Sequence, residues 1–357
     1  MKLNLNTLRA LAKAADGNPR AMVKIAVSLS DLKQHDEALA LAERAHALEP
    51  DDAEIAAVVQ ILRPRVVPQW HFKIVRDAWR NQAYDAALRR AVKPGAKVFE
   101  VGTGTGLLAM MAARAGAASV VTCEANPQVA ALAEQIIADN GFSDRIRVLR
   151  KHSSEVTLEE IGGPADVLVS EIVFNNLVGE GALPVMEDVV PRLLKPGAAI
   201  IPAAGDVRVA LVEDRTLDDN LMGQVCGFDL MPFNAVFRVP HRVEDRMALT
   251  LRSMPADLFA IDFGGGPYGM ARASTTLNAL GGKVSGVAQW MRLKLDEGET
   301  IENAPGTEPR SVWAVEVYRF AEPKVLEPGT PVTVHGYFDA ESLRLWFDPP
   351  YARPEIQ

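Results

Sequence analysis

The sequence of 357 residues has only two cysteines, Cys123 and Cys226, which is too few for a disulfide framework. It has no apolar run near the roughly 18 to 20 residues that cross a bilayer, which excludes a membrane-spanning protein. Polar residues interrupt the N-terminal stretch MKLNLNTLRALAKAADG, so it has no apolar core of the kind that a secretion signal requires. These absences predict a protein of the cytoplasm that does not use a membrane.

An excess of basic residues is also missing, since 38 Lys and Arg stand against 46 Asp and Glu, a formal charge of −8. This balance argues against nucleic acid as a partner, because phosphate backbones require clustered Lys and Arg. An acidic surface can instead attract a basic protein or peptide. With 48% hydrophobic and 24% charged residues, the composition is that of a soluble globular protein, and the length predicts two or three domains.

Residues 1–66 are rich in Ala and Leu at helical spacing, and the segment 19–52 fits a 34-residue helix-turn-helix repeat. Small and apolar residues stand where a tetratricopeptide repeat has them: Met22, Ile25, Ala26, Leu29, Ala38, Ala42, Ala45 and Pro50. One repeat cannot bury its own face, so helices at about 4–15 and 53–62 are expected to complete it, unless it docks on the rest of the chain. The segment is either a helical hairpin without a partner or a peptide-binding module.

From Lys97 onward, apolar strands alternate with amphipathic helices. This alternation predicts a domain over 67–203 with a parallel, doubly wound sheet, which binds ligands at the carboxyl ends of its strands. Strands are predicted at 97–101, 118–124, 146–150, 165–171 and 198–202. Helices are predicted at 106–117, at 127–141 and through MEDVVPRLL.

After about Ala204 the alternation stops, and strand-like runs are separated by Gly, Pro and Asp. This pattern predicts an antiparallel barrel or sandwich over 204–357. Residues 216–246, around GQVCGFDLMPFNAVFRVPH, fit neither pattern and are interpreted as an inserted arm.

A glycine-rich turn joins the first predicted strand of the α/β segment to its helix. FEVGTGTG places Gly102, Gly104 and Gly106 there, with the acid Glu100 just before the turn. A second acid, Glu124, ends the next strand, where a carboxylate can accept both ribose hydroxyl protons. The negative charge of Glu100 would repel a pyrophosphate. The positively charged sulfonium and ammonium groups of S-adenosylmethionine (SAM) tolerate it. The pattern therefore predicts a SAM site.

Four stretches make the sequence similar to the protein arginine methyltransferases, closest to the branch with the type III and repeat-bearing enzymes. They are WHFKIVRDAWRNQAYDAAL, FEVGTGTGLLAMMAARAGA, NGFSDRIRVLRKHSSEV and SEIVFNNLVGEGALP. The resemblance covers about 68–345. It implies a Rossmann-like SAM-binding domain followed by an antiparallel β-barrel, with an arm at 216–246 that forms a homodimer. It also implies methyl transfer to an arginine of a protein or peptide.

The resemblance places Glu171 and Glu180 in the double-glutamate loop of the family. Arginine has a planar, permanently charged guanidinium with five donors, so an enzyme that methylates it requires a pair of fixed carboxylates. Glu171 follows the apolar run DVLVS, and a carboxylate at such a strand end should have a cationic partner. Both glutamates are predicted to orient the guanidinium for direct displacement at the SAM methyl group, without a metal.

Further cofactor contacts follow from the same resemblance. Arg80 matches the residue that pairs with the methionine carboxylate of SAM, and Ser153 and Ser154 match the stretch that contacts adenine. His71 and Asp77 precede Arg80 at helical spacing and are expected on a shared face, His71 toward the cofactor and Asp77 toward the substrate.

The chain departs from the family where a Thr-His-Trp loop is usual. Here Ser311, Val312 and Trp313 occupy these positions, so the tryptophan remains and the histidine is missing. Val312 and Trp313 are predicted to line the substrate site. Because the histidine is missing, proton removal by a His–Asp pair is in doubt. Two alternatives stay open: methylation of another amine or small guanidino compound, and a scaffold that binds basic peptides without turnover.

Overall fold

The protein is described by a computed structural model over residues 4–67, 70–307, 312–339 and 342–348. It divides into two compact units, Met1–Ile74 and Val75–Gln357. Within the described ranges, no helix has both the length and the apolar character to span a membrane. The boundaries predicted at 66/67 and 203/204 remain predictions.

The first unit consists of helices. They are α1 (Leu5–Ala14), α2 (Pro19–Asp31), α3 (His35–Leu48), α4 (Ala53–Val66) and the start of α5 (Trp70–Val75). Asn18 begins α2 by accepting a hydrogen bond from the Ala21 amide at 3.2 Å, and Asp52 caps α4 in the same way. Six of the predicted repeat positions are buried: Met22, Ala26, Leu29, Ala38, Ala42 and Ala45. Pro50 is exposed, and the tetratricopeptide assignment stays a prediction.

The second unit begins with α6 (Ala78–Ala91) and continues as a doubly wound α/β domain. Its elements follow in the order β1 (Lys97–Val101), α7 (Leu107–Arg114), β2 (Ser119–Cys123), α8 (Pro127–Asp139), β3 (Ile146–Leu149), β4 (Ala165–Ser170), α9 (Ala182–Leu193) and β5 (Leu194–Ile201). The strands form a parallel sheet in the order β3-β2-β1-β4-β5. The predicted Rossmann-like architecture is confirmed.

The centre of this sheet explains where its polar residues lie. Strands β1, β2 and β4 are almost entirely buried because helices cover parallel sheets on both faces. Polar groups are therefore concentrated where these strands end. The glycine turn follows β1, Glu124 follows β2, and Glu171 follows β4. Since neighbouring parallel strands end at one edge, these groups share one side of the sheet.

The remaining chain is mainly antiparallel β-structure. Its elements are β6 (Ala204–Asp214), α10 (Leu217–Asn220), β7 (Gln224–Val225), β8 (Phe228–Asp229), β9 (His241–Val243), β10 (Leu249–Leu251), β11 (Ala256–Asp262), β12 (Ala271–Asn278), β13 (Gly282–Lys294), β14 (Thr300–Glu302), β15 (Val315–Leu326), β16 (Pro331–Phe338) and β17 (Leu343–Asp348). One sheet is built around β6, β13 and β15, and a second has the order β12-β16-β17. Phe259 and Phe338 join the two sheets edge to face at 4.9 Å.

The structure differs from the sequence prediction in some details. Strand β12 was not among the predicted strand-like runs, because its small and hydroxyl side chains (ARASTTLN) give little apolar alternation. The end of the predicted arm forms β9, which pairs with β15 in the larger sheet. At the base of the arm, Nε2 of His241 contacts Oδ2 of the buried Asp214 at 2.7 Å, which ties together the two ends of the arm.

Candidate active site

The glycine-rich turn after β1 has the backbone shape that glycine permits. Gly102, Gly104 and Gly106 have φ values of 84°, 51° and 77°, in the left-handed region that other residues avoid. Glu124 holds the turn in place. Its Oε2 accepts a hydrogen bond from the Gly104 amide at 3.1 Å, and its Oε1 accepts one from the Asn126 amide at 2.9 Å.

The space around the turn fits a ligand. A Cβ atom at Gly102 would lie 3.0 Å from Ile172, and one at Gly106 would lie 3.0 Å from Ile137. A Cβ atom at Gly104 would meet no described atom within 4 Å. The turn is therefore packed against the protein at its first and third glycines and open at the second, beside Glu124. This opening, lined by backbone amides and a carboxylate, suits the nucleoside part of SAM.

Glu100 lies beneath this turn and is buried, with 1% exposure. Desolvation by burial raises the pKa of its carboxyl to about 8. Its Oε2 has no hydrogen-bond partner among the described residues. Its unpartnered oxygen is therefore available for a hydrogen bond with a ligand bound at the turn.

Ser153 and Ser154 lie in a 3₁₀ turn over 153–155 that follows β3 and that His152 caps. Ser153 is buried, and its carbonyl accepts a hydrogen bond from Arg192 of α9 at 3.0 Å. Ser154 is exposed, with its hydroxyl 2.8 Å from Nδ1 of His152. The serines therefore lie on a fixed turn, as an adenine contact would require.

Arg80 and Glu171 form a buried ion pair, with side chains only 6% and 7% exposed. Nη2 of Arg80 donates to Oε2 of Glu171 at 2.9 Å, and Nη1 donates to Oδ1 of Asn81 at 2.6 Å. Tyr84, one turn farther along α6, contacts the Arg80 guanidinium and donates its hydroxyl to the carbonyl of Ser170. Nε of Arg80 and Oε1 of Glu171 have no partner among the described residues.

The second glutamate of the loop lies close enough to act on the first. Burial raises the pKa of Glu171 to about 7, against the opposing effect of Arg80, and the charges of Glu180 and Asp77 raise it further. Glu180 itself is exposed, and partial desolvation raises its pKa. It makes no ion pair or hydrogen bond with any residue that the structure describes. The two carboxylates therefore form one acidic site, called here the glutamate pair.

Asp77 connects α6 to the segment that lacks the histidine. Its Oδ1 accepts the Arg80 amide and so caps α6, while its Oδ2 accepts the Val312 amide at 3.0 Å. Position 312 thus contacts Asp77 through its backbone and needs no polar side chain to do so. Trp313 is buried and donates its indole N–H to the carbonyl of Val173 at 3.3 Å. The structure brings Asp77, Val312 and Trp313 together beside the loop, whereas Ser311 lies outside the described residues.

Three side-chain amides, whose contacts were not predicted from the sequence, hold this arrangement in place. Oδ1 of Asn175, inside the loop, accepts the Ala314 amide at 3.0 Å. Gln289 of β13 donates to the carbonyl of Asn175, and Asn303 donates to the carbonyls of Trp313 and Ala314. Gln289 was noticeable in the sequence only as an amide in an apolar stretch, and Asn175 and Asn303 gave no signal because their partners are distant in sequence.

His71 lies in α5, within the first compact unit. The other predicted site residues lie in the second unit. Its assignment to the cofactor site remains a prediction.

The buried acid predicts a specific dependence of stability on pH. The folded pKa of Glu100, about 8, lies above its ordinary value of 4.5, so the folded state retains a proton that the unfolded state releases in this interval. The stability contributed by Glu100 is complete below pH 4.5 and is lost as the pH rises to 8. Relative to Glu100→Gln, the wild type should lose up to about 1.4 kcal/mol per pH unit in this interval.

Urea unfolding of the wild type and of Glu100→Gln across this range measures the effect. Glu187→Gln, at an exposed glutamate of α9, is the matched control. A constant difference in the free energy of unfolding between wild type and Glu100→Gln would contradict the prediction.

Known methyltransferases are similar in sequence to this chain. Residues 85–203 match the family model of ribosomal protein L11 methyltransferase (PrmA). An arginine N(omega)-methyltransferase of Streptomyces achromogenes subsp. streptozoticus is 39% identical over 310 residues, which are 84% of each chain. A protein arginine N-methyltransferase 7 of Aedes aegypti is 38% identical over 172 residues, 46% of this chain and 24% of the mosquito protein.

Solved structures share the fold. The Trypanosoma brucei PRMT1 enzyme-prozyme heterotetrameric complex with AdoHcy gives a TM-score of 0.67 at 22% identity, over 78% of this chain and 91% of that chain. Arabidopsis thaliana protein arginine methyltransferase 10 gives a TM-score of 0.65 at 17% identity, over 79% of this chain and 98% of that chain. The identity and coverage of the Streptomyces relative confirm the family predicted from the sequence. The chain belongs to the SAM-dependent arginine N-methyltransferases.

Proposed function

We propose that the glutamate pair, Glu171 and Glu180, binds the guanidinium of an arginine substrate and orients it for methyl transfer. One observation carries this proposal: Glu171 already binds a guanidinium, that of Arg80, in a buried site. Its second oxygen, Oε1, is left for another donor. A carboxylate that is this buried is stable only beside a cation, so the site selects for cationic groups.

The cofactor site is proposed to consist of Gly102, Gly104 and Gly106 with Glu124 and Glu100, joined by Arg80, Ser153 and Ser154. SAM supplies an activated methyl group on a sulfonium sulfur. Glu124 is positioned to accept the ribose hydroxyls, because each of its oxygens keeps a lone pair beyond its amide contact. The unpartnered Nε of Arg80 can donate to the cofactor carboxylate.

The glutamate pair is proposed to act by positioning and charge. Carboxylates that accept guanidinium N–H groups fix the plane of the guanidinium and direct one nitrogen toward the methyl group. With SAM bound, the attacking nitrogen would form the new N–C bond while the S–C bond to the methyl group breaks. S-adenosylhomocysteine would leave, and the nitrogen would then lose a proton. Glu180 is suited to pass this proton to water because it is an exposed residue. The site thus needs no histidine at position 312.

The substrate is proposed to be an arginine of a protein or peptide. The Streptomyces relative, an arginine N(omega)-methyltransferase, supports a second candidate, a small guanidino compound such as arginine itself. A scaffold without turnover is disfavoured, because the glycine turn and the glutamate pair are retained together.

The location, the helical repeat and the oligomeric state of the enzyme are also proposed. We infer a cytoplasmic location from the scarcity of cysteine, and a tetratricopeptide-like repeat in the first unit. We infer a homodimer because the arm at 216–246 has exposed apolar side chains: Val225, Phe228, Leu230, Met231, Phe233 and Val236. Such a surface is normally buried against a second subunit.

Removal of the Glu124 carboxylate should weaken SAM binding. Glu124→Ala removes a charged acceptor worth about 1.5 to 3 kcal/mol, or roughly tenfold to more than a hundredfold in dissociation constant. Gly104→Val should block the open side of the turn. Calorimetry with SAM measures both, with Glu134→Ala as the control in an exposed ion pair of α8. Unchanged affinity in both folded variants would reject the cofactor site.

Neutralising the glutamate pair should remove activity and preserve cofactor binding. Glu171→Gln and Glu180→Gln keep the side-chain shape, and each should lower the rate of methyl transfer by orders of magnitude. Labelled SAM with an arginine peptide measures the rate, with Glu187→Gln as the control. Full turnover in either variant would show that the carboxylate does not act on the guanidinium.

Charges in the arm should dissociate the dimer. Phe228→Asp combined with Phe233→Asp places carboxylates on the apolar surface, so light scattering at micromolar concentration should give a monomer mass. Met270→Asp, at an exposed methionine outside the arm, should leave the mass unchanged. A wild-type protein that is already monomeric and active would contradict the homodimer.

A further inference from the structure

An arginine from the β-domain lies on the double-glutamate loop. Arg242 of β9 places its guanidinium over the ring of Phe174, with its Cζ atom 4.6 Å from the ring centroid. Phe174 stands three residues after Glu171, within the loop that carries the glutamate pair. A cation therefore lies on the loop that carries the site proposed to bind a cationic substrate.

The charge of Arg242 is only partly compensated. Its nearest described carboxylate is Glu316, with Nε and Oε1 separated by 3.7 Å, which is longer than a hydrogen bond. The Glu316 side chain is 7% exposed, and burial raises its pKa, against the opposing charges of Arg242 and Arg238. Two guanidinium groups thus act on one buried carboxylate, which leaves a positive charge at this place.

Arg242 is also accessible. Its side chain remains 40% exposed, and among the described residues it donates no hydrogen bond. Its place over the Phe174 ring allows a cation–π contact while its N–H donors stay available. A guanidinium held in this way is suited to bidentate binding of a carboxylate.

The loop itself offers nothing to a basic substrate beyond the glutamate pair. Between Glu171 and Glu180 the sequence is IVFNNLVG, which has no acidic residue. A basic side chain beside the reacting arginine would meet Arg242 and be repelled. A carboxylate in the same place would be attracted.

We propose that Arg242, held on Phe174, is a specificity-determining residue that binds a carboxylate of the substrate close to the guanidinium that is methylated. This inference rests on the proposed function. The carboxylate can be the α-carboxylate of free arginine, or the side chain of an acidic residue beside arginine in a peptide. Both supply the same chemical group, and substrate pairs that differ only in that group separate them.

Two substrate pairs test the proposal. L-Arginine is compared with agmatine, which lacks only the α-carboxylate, and a Glu-Arg peptide is compared with its Gln-Arg counterpart. In the wild type, kcat/KM should favour the carboxylate-bearing member of at least one pair by about tenfold or more, mainly through KM. Preference for L-arginine identifies the α-carboxylate, and preference for the Glu-Arg peptide identifies the side chain.

The variant Arg242→Gln should reduce that preference to near one and change kcat little. Arg272→Gln is the matched control, because Arg272 lies over Tyr337 at 5.6 Å on the exposed face of β12 and should preserve the preference. Equal kcat/KM within both pairs in the wild type, or an unchanged preference in Arg242→Gln, would overturn the proposal.

Calorimetric binding of the same four compounds separates this inference from the proposed function. Binding that depends on the carboxylate and on Arg242, without methyl transfer, would support the inference and reject the proposed function. Methyl transfer at the same rate with and without the carboxylate would support the proposed function and reject the inference. If neither member of either pair binds or reacts, both are rejected.

Discussion

The site depends on the buried ion pair between Arg80 and Glu171. Neither charge could remain in a buried place alone, because the desolvation of an unpaired charge costs several kcal/mol. The ion pair between Arg80 and Glu171 therefore has to form in the folded protein. It requires α6 and the end of β4 to stay in contact. Tyr84 strengthens this contact through its hydrogen bond to Ser170. A carboxylate that must have a cation beside it, with one oxygen still unpartnered, is well prepared for a second guanidinium.

Asp77 extends this constraint from the α/β domain to the β-domain. One of its oxygens caps α6 and the other holds the Val312 amide, so a single carboxylate positions both Arg80 and the segment that carries Trp313. Asn175 and Asn303 complete the arrangement from the other side. The double-glutamate loop is thus fixed before any substrate arrives, which is how electrostatic catalysis avoids the cost of reorganisation.

Much of this was predictable from the sequence because it depends on local patterns. The apolar run before Glu171 and the glycines after β1 placed both at strand ends, and the buried strands follow directly from hydrophobicity. Contacts between distant segments were not predictable: Arg80 and Glu171 are 91 residues apart, and Asp77 and Val312 are 235 apart. The missing histidine suggested that Asp77 lacks a partner in this segment. The backbone amide of Val312 contacts Asp77 instead, and a sequence pattern of side chains cannot predict which backbone amide will donate.

The central claim is that a methyl group reaches a guanidinium nitrogen of arginine. Mass spectrometry of the product, after incubation of the purified protein with SAM carrying an isotopically labelled methyl group, tests it most directly. Fragmentation should place the label on a guanidinium nitrogen of arginine, in a protein, a peptide or the free amino acid. A label on a lysine, a carboxyl group or a non-guanidino amine, or no label in a protein that binds SAM, would contradict the account.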